Sequence, residues 1–131
     1  MTPRFEHRIQ VTASDIDELG HVNNVVYVRY VQEVAEAHWR VLADEVLREK
    51  YLWVVLRHEI DYKNPAFVNE VIKATTWVGE HNGARSERFV TLVSETSGKL
   101  LVEAKTVWCM LDAKSMRPMR INDEVIRALR K

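Results

Sequence analysis

A cluster of polar residues between positions 15 and 24 carries the side chains best suited to chemistry. It holds two aspartates, a glycine, a histidine and two asparagines within ten consecutive positions, namely Asp15, Asp17, Gly20, His21, Asn23 and Asn24. A carboxylate can serve as a general base or as a direct nucleophile toward a carbonyl group. An apolar segment that is too long for a typical strand begins at Val25. The cluster therefore predicts a polar site at the start of a buried helix, whose backbone N–H groups can stabilise an oxygen that becomes negative.

The segment that follows has the period of an amphipathic helix. From position 27 to position 44 the charged residues recur every three or four positions, at Arg29, Glu33, Glu36, Arg40 and Asp44. The opposite stripe contains Tyr27, Val31, Val34, Ala35, His38 and Leu42. Valines favour strands, but strict alternation is missing and the segment exceeds the length of a normal strand. We expect a helix over residues 27–44, capped at its N-terminus by Asn23 or Asn24.

Extended segments lie on both sides of this helix. Five of them are predicted to form strands, over residues 7–13, 56–62, 70–79, 85–96 and 99–112. Gly83 and Gly98 lie in the short connections between the last three strands, where a hairpin needs positive φ. Asn122 is predicted to cap a short helix over residues 123–130. The order of these helices and strands along the chain predicts an α+β fold, in which the strands that follow the long helix form an antiparallel meander wrapped around it.

Composition and charge restrict the function classes. A length of 131 residues suits a single domain over residues 1–131. Lys plus Arg and Asp plus Glu both total 19, so no net positive charge favours a nucleic acid partner. The single cysteine, Cys109, lies among apolar residues and is predicted to be a core residue on a strand, in a reducing compartment. Neither a secretory signal nor a membrane-spanning run is recognisable, so we expect a cytoplasmic protein. The histidines lack metal-binding spacing, so no metal site is expected.

The order of these elements and the motif Asp-x-Asp-x-x-Gly-His-Val-Asn-Asn resemble the hotdog-fold acyl-CoA thioesterases of the 4-hydroxybenzoyl-CoA thioesterase type. The resemblance covers nearly the whole chain and extends to residues 59–66 and 117–121. It implies a hotdog fold, in which a five-stranded antiparallel sheet wraps around a long central helix and a short C-terminal helix follows. It also implies hydrolysis of an acyl-CoA thioester to a free acid and CoA. The coenzyme is then part of the substrate, no separate cofactor is expected, and a homodimer or homotetramer is expected.

The resemblance also assigns roles to particular residues. Asp17 matches the catalytic carboxylate, and the backbone N–H near Asn24 matches the donor that receives the substrate carbonyl. His21 matches a histidine of the acyl-carrier-protein thioesterase pattern and is a candidate helper of Asp17. Asp15 is expected to stabilise the turn instead of reacting. Substrate contacts are expected from Asn23, Val25, Tyr27, Arg85 and Ser86, the last two beside the nucleotide portion of CoA.

Several alternatives stay open at this point. Glu33, on the polar side of the helix, is the alternative base, although a solvated helix face explains it more simply. His58 is expected to be a core or pocket-wall residue. Some bacterial relatives carry a histidine at the position of Asn24 and a tyrosine at the position of Ala13, so the helper of Asp17 is open. Other functions that fit are an acyl-carrier-protein thioesterase, a hotdog hydratase or dehydratase, and a non-catalytic acyl-thioester binding protein.

Overall fold

The computed structural model describes residues 2–131, and its central element is helix α1 (Asn24–Leu42). Asn23 caps this helix, because its side-chain Oδ1 accepts a hydrogen bond from the N–H of Val25 over 2.9 Å. The buried face consists of Tyr27, Tyr30, Val31, Val34, Ala35, His38 and Leu42. The predicted helix and its apolar stripe are confirmed, with Tyr30 as an additional buried residue. The helix begins three residues earlier than predicted.

The C-terminal end of the predicted helix is wrong. α1 ends at Leu42, and Asp44 caps a second helix, α2 (Glu45–Lys50), by accepting a hydrogen bond from the N–H of Leu47 over 2.8 Å. The charged period continues to Asp44 in the sequence, but this carboxylate stabilises the start of the next helix. α2 leads directly into β2 (Tyr51–Tyr62), which begins five residues earlier than the predicted strand.

Five antiparallel strands form one sheet that packs against α1. In addition to β2, they are β1 (Phe5–Gln10), β3 (Val71–Asn82), β4 (Arg85–Ser94) and β5 (Leu100–Asp112). Their order across the sheet is β1-β3-β4-β5-β2. Gly83 has φ 62 and Gly98 has φ 76 in the connections that join β3 to β4 and β4 to β5. The predicted positive φ at both connections is confirmed.

The predicted place of β2 in the meander is wrong. β2 pairs with β5, where Tyr51 lies opposite Asp112, and it does not pair with β3. β1 occupies the edge of β3 instead, with Phe5 opposite Thr76. The connection over residues 63–70 therefore carries the chain from one side of the sheet to the other. Local strand signals do not reveal such a crossing, because it depends on which strand reaches the edge of β3.

The first strand is shorter than the predicted residues 7–13. β1 ends at Gln10, and Thr12 starts a 3-10 turn (Ala13–Asp15). The Asp15 carboxylate accepts hydrogen bonds from the backbone N–H and the hydroxyl of Thr12, over 3.1 and 3.2 Å. These local side-chain bonds replace strand pairing at this point. They also determine where the loop that carries Asp17 begins.

Two groups of buried side chains stabilise the fold. One joins the inner face of the sheet to α1 and includes Val34, while the other joins the end of α1 to α3 (Asp123–Leu129) and includes Val125. Asn122 caps α3 as predicted, by accepting a hydrogen bond from the N–H of Val125. Cys109 is buried on β5, which confirms its prediction as a core residue. Among residues 2–131, the helices are too short or too polar for any of them to cross a membrane.

Candidate active site

A closed loop between β1 and α1 presents Asp17 and His21. Ile16 and Val22 form an isolated antiparallel bridge at its base. The N–H of Asp17 donates to the carbonyl of His21 over 3.0 Å, and the N–H of Gly20 donates to the carbonyl of Asp17 over 3.1 Å. Gly20 has φ 85, a conformation that side chains disfavour. The backbone of the loop thus holds Asp17 and His21 next to each other.

The Asp17 carboxylate is accessible and has few partners within the chain. A quarter of the side chain is exposed, at 25%, and Oδ1 accepts a hydrogen bond from the N–H of Leu19 over 2.9 Å. The Nδ1 atom of His21 lies 4.0 Å from the same oxygen, which is too long for a hydrogen bond. Within residues 2–131, Oδ2 of Asp17 accepts no hydrogen bond. The carboxylate borders an open surface depression, so a ligand can reach this second oxygen.

The N-terminus of α1 adjoins the same depression, which is also bordered by Asn23. The side-chain Oδ1 of Asn23 accepts a hydrogen bond from the N–H of Val25. The backbone carbonyl of Asn23 accepts a hydrogen bond from the N–H of Val26 over 2.9 Å. In the described part of the chain, the N–H of Asn24 has no acceptor. It lies at the positive end of a 19-residue helix, while the side chain of Val25 is 75% exposed beside it. A carbonyl oxygen is a suitable acceptor for such an N–H.

The side chain of Asp15 is buried, and both of its carboxylate oxygens accept hydrogen bonds within the protein. It is 3% exposed, and it accepts hydrogen bonds from the hydroxyl of Tyr30 over 2.8 Å and from the guanidinium of Arg29 over 2.5 Å. Burial alone would raise the pKa of Asp15, but the hydrogen bonds from Thr12, Tyr30 and Arg29 outweigh it and lower the pKa below its usual value. The expectation that Asp15 stabilises the turn is confirmed. The two carboxylates of the motif therefore have different environments.

Two tyrosines connect the start of α1 to the loop after β2. The hydroxyl of Tyr27 accepts a hydrogen bond from the N–H of Ala66 over 3.0 Å, and Tyr27 is 3% exposed. Its hydroxyl thus stabilises the loop, and its predicted contact with substrate stays a prediction. Tyr62 is 45% exposed, and its hydroxyl donates to the carbonyl of Asn24 over 3.4 Å. Tyr62 is therefore the tyrosine that a ligand at the helix N-terminus can reach.

The two residues predicted to meet the nucleotide portion of CoA lie at the far end of β4. Arg85 begins this strand and is exposed, whereas Ser86 is only 5% exposed. At the other end of β4, the hydroxyl of Ser94 donates a hydrogen bond to the carboxylate of Glu70. This carboxylate also accepts a hydrogen bond from the N–H of Phe67, and the Phe67 ring packs edge-on against His21. The nine residue-to-residue steps from Arg85 to Ser94 span roughly 30 Å at about 3.3 Å per residue. Within one chain, Arg85 and Ser86 are thus remote from the loop of His21, and their predicted role requires an extended ligand or a second copy of the chain.

Glu33, the alternative base, and His58 both have contacts that are typical of structural residues. The side chain of Glu33 is 47% exposed and lies 3.8 Å from His7, which fits the solvated helix face. His58 approaches Thr106 over 2.8 Å and Gln32 over 3.3 Å. Burial lowers the pKa of His58. His58 is half-buried and hydrogen-bonded, which agrees with the expectation of a core or pocket-wall residue.

Comparison with known proteins identifies the family of this fold and site. The family model described as the thioesterase-like superfamily matches residues 11–129. The chain belongs to this superfamily. The predicted family is confirmed, and so is the prediction that the chain is a thioester hydrolase.

Two curated relatives of this thioesterase differ in length. The long-chain acyl-CoA thioesterase FadM of Escherichia coli (strain K12) is 22% identical over 126 residues, which cover 92% of this chain and 93% of FadM. The acyl-[acyl-carrier-protein] hydrolase FATB3, chloroplastic, of Cuphea viscosissima is 31% identical over 81 residues, or 62% of this chain. That stretch corresponds to 20% of FATB3, so the present chain spans only about a fifth of the plant protein it matches.

A solved structure agrees with the fold. The crystal structure of Slr0204, a 1,4-dihydroxy-2-naphthoyl-CoA thioesterase from Synechocystis, superposes with a TM-score of 0.83 at 15% identity. The match covers 97% of this chain and 96% of that chain. The predicted hotdog fold, with its central helix and five-stranded sheet, is confirmed.

Sequence reasoning did not identify every residue near the candidate site of this thioesterase. Tyr62 and Ala66 lie within residues 59–66, a segment that resembles the family, but nothing in its local pattern shows that it reaches α1. The contacts of Tyr62 with Asn24 and of Ala66 with Tyr27 span 38 and 39 positions of the chain. Such long-range contacts become visible only in the folded structure.

Proposed function

We propose that this chain hydrolyses acyl-CoA thioesters, with Asp17 as the reacting carboxylate and the N–H of Asn24 as the donor to the thioester carbonyl oxygen. The proposal rests on the N–H of Asn24 at the N-terminus of α1, which has no acceptor among residues 2–131 and lies beside a depression that Asp17 also borders. A base and an oxyanion donor on either side of one carbonyl are the two requirements of acyl transfer.

The proposed reaction starts at Oδ2 of Asp17. As a general base, this oxygen takes a proton from a water molecule while the water oxygen attacks the carbonyl carbon. The carbonyl oxygen becomes negative and is stabilised by the N–H of Asn24. The C–S bond then breaks, and the CoA thiolate leaves and takes up a proton. As a nucleophile, the same oxygen attacks the carbonyl carbon directly, expels the thiolate and leaves a mixed anhydride that water hydrolyses.

Both routes need only groups of the protein and water. Because Asp17 supplies the base and the helix N-terminus supplies the positive potential, the proposal includes neither a metal nor an organic cofactor. His21, with Nδ1 4.0 Å from Oδ1 of Asp17, is proposed to orient the carboxylate. Tyr62 is proposed to contact the substrate, because it is exposed next to Asn24.

CoA is the proposed carrier because FadM, a relative that matches over 93% of its own length, is a long-chain acyl-CoA thioesterase by name. An acyl carrier protein is the second candidate, because FATB3 is an acyl-[acyl-carrier-protein] hydrolase and has the higher identity over the shorter match. Comparing the same acyl group on both carriers separates these candidates. The carrier with the larger kcat/KM is the substrate class.

A homodimer, or a tetramer built from dimers, is proposed from the free edge of β2. This strand is 12 residues long and forms the last strand of the sheet. Its apolar residues Leu52, Val54 and Leu56 are exposed by 39%, 39% and 49%. A long apolar strand edge favours pairing with another strand. Light scattering coupled to size exclusion tests this, and a monomeric wild-type protein would exclude it.

The activity is tested by thiol release from a panel of short, long and aromatic acyl-CoAs. Asp17→Asn keeps the shape of the side chain and removes the base, so we expect kcat to fall by about 100-fold or more. Glu49→Gln is the control, because Glu49 is an exposed carboxylate on α2, outside the depression that Asp17 borders. The control is expected to keep wild-type kcat. Equal turnover by wild type and Asp17→Asn would contradict the proposed role of Asp17.

Further measurements separate the remaining possibilities. A single turnover in ¹⁸O-labelled water that leaves label in Asp17 identifies the carboxylate as the nucleophile, with water attacking the Asp17 carbonyl of the anhydride. Label in the released acid alone arises from a general base or from water attack at the acyl carbonyl of the anhydride, and trapping of the anhydride with hydroxylamine separates these two routes. Hydration of enoyl-CoA without thiol release would instead indicate a hydratase. Binding of acyl-CoA without any reaction would indicate a non-catalytic binding protein.

A further inference from the structure

A second cavity lies away from the loop of Asp17, between the C-terminal half of α1 and the inner face of the sheet. It has a volume of about 240 Å³. Its apolar walls include Trp39, Trp53, Trp108, Ala35 and Leu129. Trp39 follows Asn24 by fifteen residues, which is roughly 22 Å along a helix at about 1.5 Å per residue. The cavity is thus separated from the candidate active site within one chain.

The wall of this cavity also contains a buried charged group, Arg88. It projects from the inner face of β4 and is only 7% exposed. Its Nη1 atom lies 2.8 Å from Nδ1 of His38 and donates to Oγ1 of Thr76 over 3.1 Å. Among residues 2–131 it has no carboxylate partner. Burial lowers the pKa of Arg88 to about 10, so the guanidinium is still charged at neutral pH.

A buried cation of this kind normally has an anionic partner. Removing a charge from water costs several kcal/mol, which an ion pair or a set of hydrogen bonds must offset. His38 cannot act as an anion, and the hydroxyl of Thr76 is neutral. The remaining nitrogen atoms of Arg88, Nε and Nη2, have no hydrogen-bond partner in the described residues. Nearby, the buried indole N–H of Trp108 also has no partner there.

We propose that this cavity binds a small planar organic carboxylate, whose charged group pairs with Arg88 and whose apolar part lies between the tryptophan rings. A guanidinium offers two parallel N–H donors that match the two oxygens of a carboxylate. Aromatic walls favour a flat apolar body, through stacked or edge contacts. The cavity is smaller than the roughly 300 to 1,000 Å³ of pockets for drug-sized ligands, so a molecule of one or two rings fits best.

The entrance to the cavity supports an anionic ligand. Arg40 and Arg48 border it, with Glu36 as the single acidic neighbour among the lining residues. Arg48 donates to the carbonyl of Arg40 over 3.2 Å, which keeps the two cations close together. Two positive charges against one negative charge attract an anion toward the opening. This proposal does not use the loop of Asp17, so it is tested separately from the role proposed for that carboxylate. Two lining residues also have other proposed contacts: Ser86 is a predicted contact of CoA, and Leu52 lies on the β2 edge proposed for the dimer.

The test compares naphthalene-2-carboxylate with naphthalene-2-carboxamide on the wild-type protein. The two probes share the ring system and differ in charge. Isothermal titration calorimetry is expected to show that the amide binds about tenfold or more weakly than the acid, since it lacks the charge-assisted bond to Arg88. Equal affinities, or no binding of the acid at millimolar concentration, would overturn the proposal. This comparison needs no variant and therefore does not depend on folding of a mutant.

The indole signals in a ¹H–¹⁵N spectrum report where the acid binds. The signals of Trp39, Trp53 and Trp108 are expected to shift together, because these side chains line the cavity. Trp77 is an internal control, since it stacks on Phe89 on the outer face of the sheet. A shift of the Trp77 signal without the other three would place the ligand elsewhere and contradict the assignment.

A pair of arginine variants then tests the proposed ion pair. Arg88→Met removes the buried charge, and we expect acid binding to weaken about tenfold while binding of the amide changes little. Arg8→Met is the control, because Arg8 is an exposed arginine on β1 that does not line the cavity. It is expected to bind the acid like wild type. If Arg88→Met folds and binds the acid as tightly as Arg8→Met does, Arg88 is not the anion partner.

Discussion

Acidification should destabilise this protein through one buried histidine, His38. The imidazole stacks on Phe5 with ring centroids 4.9 Å apart, and its Nδ1 lies 2.8 Å from the guanidinium of Arg88. Burial, together with the positive charge of Arg88, lowers the pKa of His38 from 6.5 to about 4. In the folded protein His38 is therefore neutral at pH 5, and it accepts the hydrogen bond from Arg88. In the unfolded chain the same group is protonated at this pH.

The sign and size of the effect follow from this difference. Between pH 6.5 and about 4 the unfolded state binds more protons than the folded state, so the free energy of unfolding falls as the pH is lowered through this range. Each pKa unit corresponds to about 1.4 kcal/mol, which gives about 3 kcal/mol once the pH is below both values. At pH 5, part of the way through the range, the expected loss from His38 is about 2 kcal/mol relative to pH 7.5.

Urea unfolding of wild type and His38→Gln at pH 7.5 and pH 5.0 measures this contribution. The amide oxygen of glutamine can still accept a hydrogen bond from Arg88, but the glutamine side chain does not titrate. Titration of other groups, including His58, affects both proteins and cancels in the comparison. We expect wild type to lose about 2 kcal/mol more than the variant between the two pH values. An equal loss in both proteins would refute the assignment of a neutral, buried His38.

Three substitutions give further expected outcomes. Asp15→Ala leaves its buried donors without an acceptor and should lower the free energy of unfolding by about 2 to 3 kcal/mol in urea titrations, more than Asp17→Ala does. Tyr27→Phe removes the acceptor of the Ala66 N–H and should cost about 1 to 2 kcal/mol, with faster amide exchange at Ala66. Gly79→Ala would place a Cβ atom 2.6 Å from the ring of Phe89, so thermal unfolding should show a loss of about 1 to 3 kcal/mol. An unchanged melting temperature would contradict this last contact.

The elements that local patterns predict are those whose stabilising contacts are local. The buried stripe of α1 follows from a repeat of three and four residues, and the cap at Asn23 bonds to Val25, two positions away. The hairpin glycines Gly83 and Gly98 are predictable because their φ depends on a turn of a few residues. The same logic explains one error. The charged period at Asp44 looks helical in the sequence, although this residue caps the next helix.

The distinction between Asp15 and Asp17 shows how far the candidate site could be predicted. Their positions at the end of a strand and inside a turn suggest different roles, and the family resemblance favours Asp17. The structure adds the physical basis: Asp15 is held by Tyr30 and Arg29, which lie one helical turn or more inside α1. Asp17 keeps an oxygen without a hydrogen bond from the described residues. Only packing of the helix against the loop creates this difference.

The sequence by itself determined the helix with its capped N-terminus, the strand segments, the turns and the polar motif ahead of the helix. These features depend on periodicity, capping and turn preferences, which act over a few residues. The tertiary structure alone decided that β2 lies beside β5, and that Arg88 lies buried next to His38, fifty positions away in the chain. Strand order and burial depend on contacts between distant segments, and no local pattern encodes which of these segments meet.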